Sequence, residues 1–413
     1  MSVAPESVEQ VAGVLALAHR EGLAVVPWGG GTTMGLGRPP ERLDIVLQLH
    51  RLSSVLEHEP ADLTATVQAG MTMADLQHQL SRRGQWWPVD PPWPESATLG
   101  GVLATNSSGP KRLLYGTARD LVIGMKVVHA DGTLSKAGGK VTKNVTGYDM
   151  MKLYINSLGT LAVMVEATLK LRPLPAVQHV AWATFAGADA AGCAARKLLA
   201  SELLPNAVEL VNPPVSAFLR QAIRGPDAEG WSLLVGVDGV EQAVARQIRQ
   251  LAGICHEAGA TAWWVGADDG RLWTALQTRF RPQGTDRASW IVIRVGTVLT
   301  RVMGVLEELE RIAKPLEVES ELAARAGNGL IYCRIPLHGD PTRQSRLATA
   351  LGDLRGVHAQ HRSYLVIESA PPSFKAQFDI WGDIGPQLEI MRGLKREFDP
   401  RGVLNPGRFV GGL

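Results

Sequence analysis

Apolar positions along this chain follow two periods. Val8, Val11, Ala12 and Leu15 recur at i, i+3, i+4 and i+7, the stripe of an amphipathic helix, with Pro5 suited to its first turn and Gly22 to its end. Short apolar runs at 23–27, 45–49 and 65–69 predict strands, and 72–83, with Leu76 and Leu80 on one face, predicts a second helix. From 97 to 175 the texture changes. Brief apolar runs alternate with Gly, Asn, Asp and Thr, predicting strands at 122–129, 162–165 and 168–171 and a turn at Ala130, Asp131 and Gly132. Arg172, Pro173, Leu174 and Pro175 mark a boundary, because proline continues neither a helix nor a central ladder. Beyond it, strands at 179–185, 208–211, 232–237 and 290–295 alternate with helices at 241–258 and 302–312, an α+β pattern with a mostly antiparallel sheet. From 371 onward the chain returns to helix and ends in a Pro/Gly-rich stretch.

Composition narrows the function classes. The chain has 413 residues, more than one core usually holds, and is 45% hydrophobic and 20% charged, an ordinary globular balance. The formal net charge of +2, with no run of five like charges, gives no electrostatic case for nucleic acid or an anionic membrane. Cys193, Cys255 and Cys333 are far apart and form no C-x-x-C, so neither a disulfide framework nor a local iron–sulfur or zinc motif is legible, and a reducing, cytoplasmic setting fits. The first apolar stretch follows Glu6 and Glu9 rather than a basic segment, unlike a signal peptide, and no run of 18 apolar residues predicts a membrane span. Glycine is the outlier. Its 44 residues exceed the ~7% typical of proteins, and those grouped in motifs within the first 160 point to positive φ or close ligand approach.

Those glycines belong to a series of motifs. Trp28, Gly29, Gly30, Gly31, Thr32 and Thr33 follow a predicted strand, and successive small residues let backbone N–H groups converge on a phosphate. No Gly-Lys-Ser/Thr follows, and no helix with an acidic partner, so this is neither a Walker loop nor a Rossmann fingerprint; taken alone it reads equally as a flexible loop. Thr98, Leu99, Gly100, Gly101, Thr105, Asn106, Ser108 and Gly109 form a run in which small residues admit a planar ligand and short polar side chains can bond its edge. Tyr115, Gly116, Arg119 and Asp120, then Lys143, Asn144, Gly147, Tyr148 and Asp149, then Gly159, Thr160 and Leu161 complete the series, each of them ordinary turn chemistry when taken singly.

In order and spacing the series resembles the vanillyl-alcohol oxidase/p-cresol methylhydroxylase superfamily of flavoproteins. The end of the chain, Phe398, Asp399, Pro400, Arg401, Gly402, Val403, Leu404, Asn405, Pro406, Gly407 and Arg408, resembles its lactate and glycolate branch. The likeness is strong over 5–175 and 375–413 and weak between. It implies an α+β fold in two lobes: a PCMH-type FAD-binding domain (1–175, with 371–413 returning to it) and an α+β cap domain (176–370). It further implies that residues 28–33 cradle the FAD pyrophosphate, that 97–109 runs past the pyrophosphate and flavin, that 159–161 borders the adenosine, and that Arg119 and Asp120 organise the shell behind. The loop holds no histidine and no nearby cysteine, so the FAD is expected to be noncovalent.

One motif departs. Relatives that oxidise D-lactate or glycolate resemble one another at His-Ala-Gly-Asp-Gly-Asn-Leu-His, whose imidazoles suit proton abstraction or metal ligation. Here the same stretch reads Arg325, Ala326, Gly327, Asn328, Gly329, Leu330, Ile331, Tyr332. An arginine stays protonated and serves neither role. Such wear resembles the E-type subunits of bacterial glycolate oxidases, and no catalytic base is assigned. That resemblance implies an FAD-bearing subunit acting on glycolate, with D-lactate as a second substrate, beside a D-type flavoprotein and an F-type iron–sulfur subunit, reaching the inner membrane only through partners. Two alternatives stay open: a stand-alone FAD-dependent D-2-hydroxy-acid dehydrogenase, and a scaffold subunit whose FAD is silent. Arg294, on an apolar strand, suits a substrate carboxylate or, more simply, a structural salt bridge.

Overall fold

The computed structural model describes all residues except 141–147, 224, 285–288 and 338–339. The chain forms two compact units, one of residues 1–108, 116–174 and 383–413, the other of 109–115 and 175–382.

The first unit opens with the helix Val8–Glu21, which buries Val8, Val11, Leu15 and Ala18. Ser7, rather than Pro5, starts it: the Ser7 hydroxyl accepts the Gln10 N–H, and Gly22, at φ 70°, ends the helix in the left-handed conformation. A small parallel sheet pairs Ile45–Gln48 with Ser2–Val3 on one side and Val25–Trp28 on the other. A five-stranded antiparallel sheet has the order Val55–Glu59, Thr64–Gln68, Val163–Lys170, Val122–Val128, Leu134–Gly138. The two strands expected at 162–165 and 168–171 are one, with a register shift opposite Lys126 and Val127 absorbing the irregularity that the polar residues suggested. The core of this sheet gathers Val67, Leu76, Leu80, Trp87, Leu99, Leu103, Val127 and Leu169.

The second unit is built on one eight-stranded sheet, every pairing antiparallel, in the order Ala262–Ala267, Val177–Phe185, Trp231–Gly239, Ala207–Val211, Glu321–Arg325, Leu330–Pro336, Trp290–Gly296, Tyr364–Ser369. The helices Ala188–Leu199, Glu241–Glu257, Val302–Ala313 and Pro341–Gln360 share one large core with one face of this sheet. Pro213–Ala222 and Arg271–Arg279 contribute Val215, Leu219, Leu272 and Trp273 to the core on the other face. Beyond those two helices this second face carries a row of arginines and glutamates. Among the described residues no helix is long and apolar enough to cross a membrane.

Candidate functional site

The glycine loop becomes the wall of a cleft because the backbone crosses itself there. A Cβ on Gly30 would stand 1.5 Å from the Ser96 carbonyl oxygen, and one on Gly29 would stand 2.1 Å from Thr98 Oγ1. Only glycine allows such an approach. The cleft is lined by Pro27, Gly29, Gly30, Gly31, Thr32, Thr33, Met34, Thr98, Gly101, Ala104, Thr105, Leu158, Asn405 and Arg408. The sequence series is therefore brought together at Gly29–Thr33, Thr98, Gly101 and Thr105. Leu99 and Gly100 lie buried behind the cleft, where a Gly100 Cβ would press on Ala69.

The far wall comes from the last residues. Asp399, buried at 2% exposure, accepts the N–H groups of Val403 (2.8 Å) and Leu404 (2.7 Å) and the Lys395 ammonium (2.6 Å). Burial lowers the Lys395 pKa, against the pull of Asp399, and the ammonium also donates to the Thr160 and Leu404 carbonyls. This staple fixes Asn405 at φ 46°, where its amide donates to the Leu158 carbonyl at 2.7 Å. Arg408 in turn donates to the carbonyls of Met34 (3.0 Å) and Leu36 (3.2 Å), carrying a guanidinium to the mouth of the glycine loop. Asn405 and Arg408 stand in the family-like tail motif, yet their place in the cleft depends on a contact more than 240 positions away and was not legible in spacing.

A second cleft of about 400 Å³ in the same unit is lined by Asn106, Arg119, Lys152, Leu153, Ile155, Asn156, Ser157, Thr160, Leu161, Met391, Leu394, Lys395, Phe409 and Leu413. Between the two clefts runs a strained segment, with Asn156 at φ 71°, Leu158 at φ 52° and Gly159 at φ 67°. Left-handed conformations cost on the order of 1–3 kcal/mol at non-glycine residues and cluster where a ligand is held. Hydrogen bonds from Asn156 and Leu158 to the Leu103 and Ala104 carbonyls hold the segment in place. Asp120 caps a turn, accepting the Thr117 N–H and hydroxyl at 2.8 Å each, and Gly116 packs on it. Arg119 lines the second cleft and donates to the Lys152 carbonyl. Trp28 lies beside Gly31. Ser108 is buried in this unit, whereas Gly109 and Tyr115 belong to the second unit, where the Tyr115 hydroxyl bonds Asp238. Lys143, Asn144 and Gly147 lie outside the described residues.

FAD fits this architecture on two observations. Buried Asn405 Oδ1 and Ser157 Oγ, one in each cleft, have no protein partner. Buried polar atoms cost about 1–3 kcal/mol when left unpaired, so both point to a ligand. The glycine cradle with Arg408 suits a diphosphate, and Leu153, Ile155, Leu161 and Phe409 suit an aromatic ring system. When bound, FAD supplies a two-electron acceptor.

In the second unit the worn motif is a hairpin. Arg325 ends the strand Glu321–Arg325, and Tyr332 lies in the strand Leu330–Pro336. The surviving glycines have local causes: a Cβ on Gly329, at φ 68°, would strike the Thr297 carbonyl oxygen at 2.0 Å, and one on Gly327 would strike Leu113. Arg325 sits 3.6 Å from Glu209 and lies over the Tyr332 ring at 5.1 Å. Arg294 is paired with Glu368, which Arg281 also meets at 2.6 Å. Burial disfavours the Arg294 cation, but Glu368, Tyr364 and Tyr332 outweigh it and raise the pKa. For Glu368, likewise, burial is outweighed by Arg281 and Arg294, and its pKa falls. Arg294 is thus committed to an ion pair. Among the described residues no three His, Cys, Asp or Glu side chains gather to hold a metal.

Comparison with known proteins agrees with this layout. Residues 1–138 match the FAD binding domain family, and residues 174–362 and 383–409 match the C-terminal domain of FAD linked oxidases. Glycolate oxidase subunit GlcD of Bacillus subtilis is 26% identical over 98% of this chain and 88% of its own length. The D-lactate dehydrogenase of Archaeoglobus fulgidus is 28% identical over 99% of this chain and 90% of its own length. The D-2-hydroxyglutarate dehydrogenase of Xanthomonas citri is 29% identical over 98% and 88% respectively. Among solved structures, p-cresol methylhydroxylase superposes with a TM-score of 0.74 at 17% identity, covering 98% of this chain and 88% of its own, which shows the two-lobed PCMH-type fold. The chain belongs to the FAD linked oxidase family and is an FAD-dependent oxidoreductase.

Proposed function

We propose that this chain is an FAD-bearing subunit of a complex that oxidises glycolate to glyoxylate, with D-lactate as a second substrate, and that it acts beside a catalytic flavoprotein rather than in its place. The relatives named for glycolate, D-lactate and D-2-hydroxyglutarate support 2-hydroxy-acid oxidation as the chemistry. The observation that carries the subunit reading is the pair Arg325 and Tyr332. At the two positions where the motif of catalytic relatives holds imidazoles, this chain has a cation paired with Glu209 and a phenol stacked beneath it. Neither side chain takes a proton from a carbon-bound hydroxyl at neutral pH. The three cysteines are free and scattered, so electrons leaving the flavin pass to a partner, for which a D-type flavoprotein and an F-type iron–sulfur subunit are the candidates. The proposed FAD contacts are Gly29–Thr33, Thr98, Gly101, Thr105 and Arg408 around the diphosphate, with Thr160 and Leu161 by the adenosine. A cytoplasmic location, at the membrane only through partners, accompanies this reading.

The alternative, a stand-alone 2-hydroxy-acid dehydrogenase, is favoured by the near-complete coverage of relatives named as dehydrogenases rather than as subunits. An anaerobic absorbance spectrum of the lone chain with glycolate or D-lactate separates the two. A yellow protein that stays oxidised supports the subunit. Bleaching overturns it in favour of the dehydrogenase, and a protein that takes up no FAD overturns both.

A further inference from the structure

The two ends of the second unit's sheet are finished differently. At one end the strand Tyr364–Ser369 is closed: the Ile367 N–H donates to the Ile380 carbonyl at 2.9 Å, and the Leu365 carbonyl accepts from Arg355 at 3.2 Å. At the other end stands Ala262–Ala267, whose one strand neighbour among the described residues is Val177–Phe185. One step beyond the His179–Ala267 pair, the Asp268 N–H donates to the Gln178 carbonyl at 2.9 Å, which sets the alternation of the ladder. Ala262, Trp264 and Gly266 therefore turn their backbone groups inward. Trp263, Val265 and Ala267 turn theirs outward, where no partner meets them among the described residues. Edge strands of the first unit carry charges that discourage pairing with another chain, Glu57 and Glu59 on Val55–Glu59 and Lys136 on Leu134–Gly138. This edge has no such guard: from Gly259 to Ala267 the chain holds neither a charged residue nor a proline. The helix Glu241–Glu257 that leads into it packs over Val177–Phe185 and Trp231–Gly239, inboard of the edge.

An open edge takes an extended strand, and the strand that complements this one is its own copy. A twofold axis through Val265 sets Val265 opposite Val265 of the copy and Trp263 opposite Ala267, so that every outward N–H and carbonyl finds its counterpart. A register shifted by two residues would need Thr261, whose N–H is already spent on the Thr184 carbonyl. No like charges face each other along the paired segment, because it has none. The same axis sets Trp264 opposite Gly266. The Trp264 indole lies along its own strand, where a Cβ on Gly266 would stand 2.2 Å from the ring, so this side of the edge offers a flat aromatic surface to its copy. We propose that Ala262–Ala267 pairs antiparallel with the same strand of a second copy of this chain, joining the two eight-stranded sheets into one across a twofold axis.

The test is sedimentation velocity of the FAD-loaded full chain over a range of micromolar concentrations, where a reversible dimer is expected. Val265→Pro and Ala267→Pro each delete an outward N–H that the ladder within the chain does not use, and proline is tolerated at such edge positions. Each should raise the dimer dissociation constant at least tenfold, with FAD content and circular dichroism unchanged. Leu204→Ser, which removes an exposed apolar side chain of the same unit outside the edge strand, should leave it alone. Val265 packs partly against the core, so if Val265→Pro does not fold, exposed Ala267 carries the test. A chain that stays monomeric at every concentration overturns the proposal, as does a dimer indifferent to both prolines. Amides of Trp263, Val265 and Ala267 that become protected from hydrogen exchange only when a D-type flavoprotein is added would give the edge to that partner and overturn self-pairing.

Discussion

Gly30→Ala isolates the close approach on which the glycine cleft depends. The added methyl would sit 1.5 Å from the Ser96 carbonyl oxygen and 2.6 Å from its carbon, both of them backbone atoms that no rotamer change can move. The loop must retreat by an ångström or more, taking with it the backbone of Gly29, Gly30 and Gly31 that lines the cleft. Overpacking of this kind costs about 1–3 kcal/mol, occasionally more. If the cost falls on the FAD-bound geometry, affinity drops by roughly 5- to 150-fold, at about 1.4 kcal/mol per decade. The assay is FAD reconstitution of the apoprotein followed by flavin fluorescence, with urea unfolding of the apo form alongside. Gly13→Ala is the control: nothing lies within 4 Å of a Cβ there, the site is on the exposed side of a helix, and about 0.5–1 kcal/mol of added stability is expected. Unchanged FAD affinity in Gly30→Ala would refute the reasoning, because the methyl would then have been accommodated without moving the loop.

Three further outcomes are expected. Asp399→Ala leaves the Lys395 ammonium buried without its carboxylate and frees two buried N–H groups, so unfolding free energy should fall by about 3–5 kcal/mol in urea titration, and FAD affinity should fall with it. Native thiol titration with an aromatic disulfide should find Cys255 and Cys333 silent, since burial pushes Cys255 up to about 12 and Cys333 higher still, and all three cysteines should react in denaturant. Burial, against the pull of Glu308, holds His358 below its ordinary pKa of 6.5. The unfolded chain therefore binds that proton first, and stability is full above 6.5 and declines as pH falls from there through the folded value. A His358→Gln variant should show a flatter stability profile below 6.5, and an unchanged slope would assign the acid sensitivity elsewhere.

Much of the secondary structure was legible because it rests on local periodicity. The helix at 8–21 and the strands at 45–48, 64–68, 122–128 and 290–296 follow from alternation that the burial reproduces. The helix starts at Ser7 and not at Pro5 because the Ser7 hydroxyl accepts the Gln10 N–H, a bond that proline has no side chain to make. The strands Ala262–Ala267, Glu321–Arg325 and Tyr364–Ser369 escaped notice: two of them alternate little, and one carries charged residues that only cross-strand partners make tolerable. At the site, glycines advertised the cleft because each marks a place where a Cβ has no room. Asn405, Arg408 and Ser157 did not advertise it, since an asparagine at φ 46° and a serine with an unpaired hydroxyl look like any turn until the opposing chain is in place. Arg325 was legible as a departure, but its partners Glu209 and Tyr332 come from separate strands.

The staple at Asp399 also sets a schedule. The walls of the glycine cleft come from 27–34, 98–105 and 158, and then from 405 and 408, with the whole 175–382 segment of the second unit synthesised in between. At about 5–20 residues per second, a ribosome needs on the order of ten seconds or more to travel from the last early wall to the first late one. Through that interval the nascent loop has its glycines but not the residues that pin them. Cofactor capture therefore waits for residues 405 and 408 to emerge, and a ribosome stalled near residue 380 should display a PCMH-type lobe that holds no flavin.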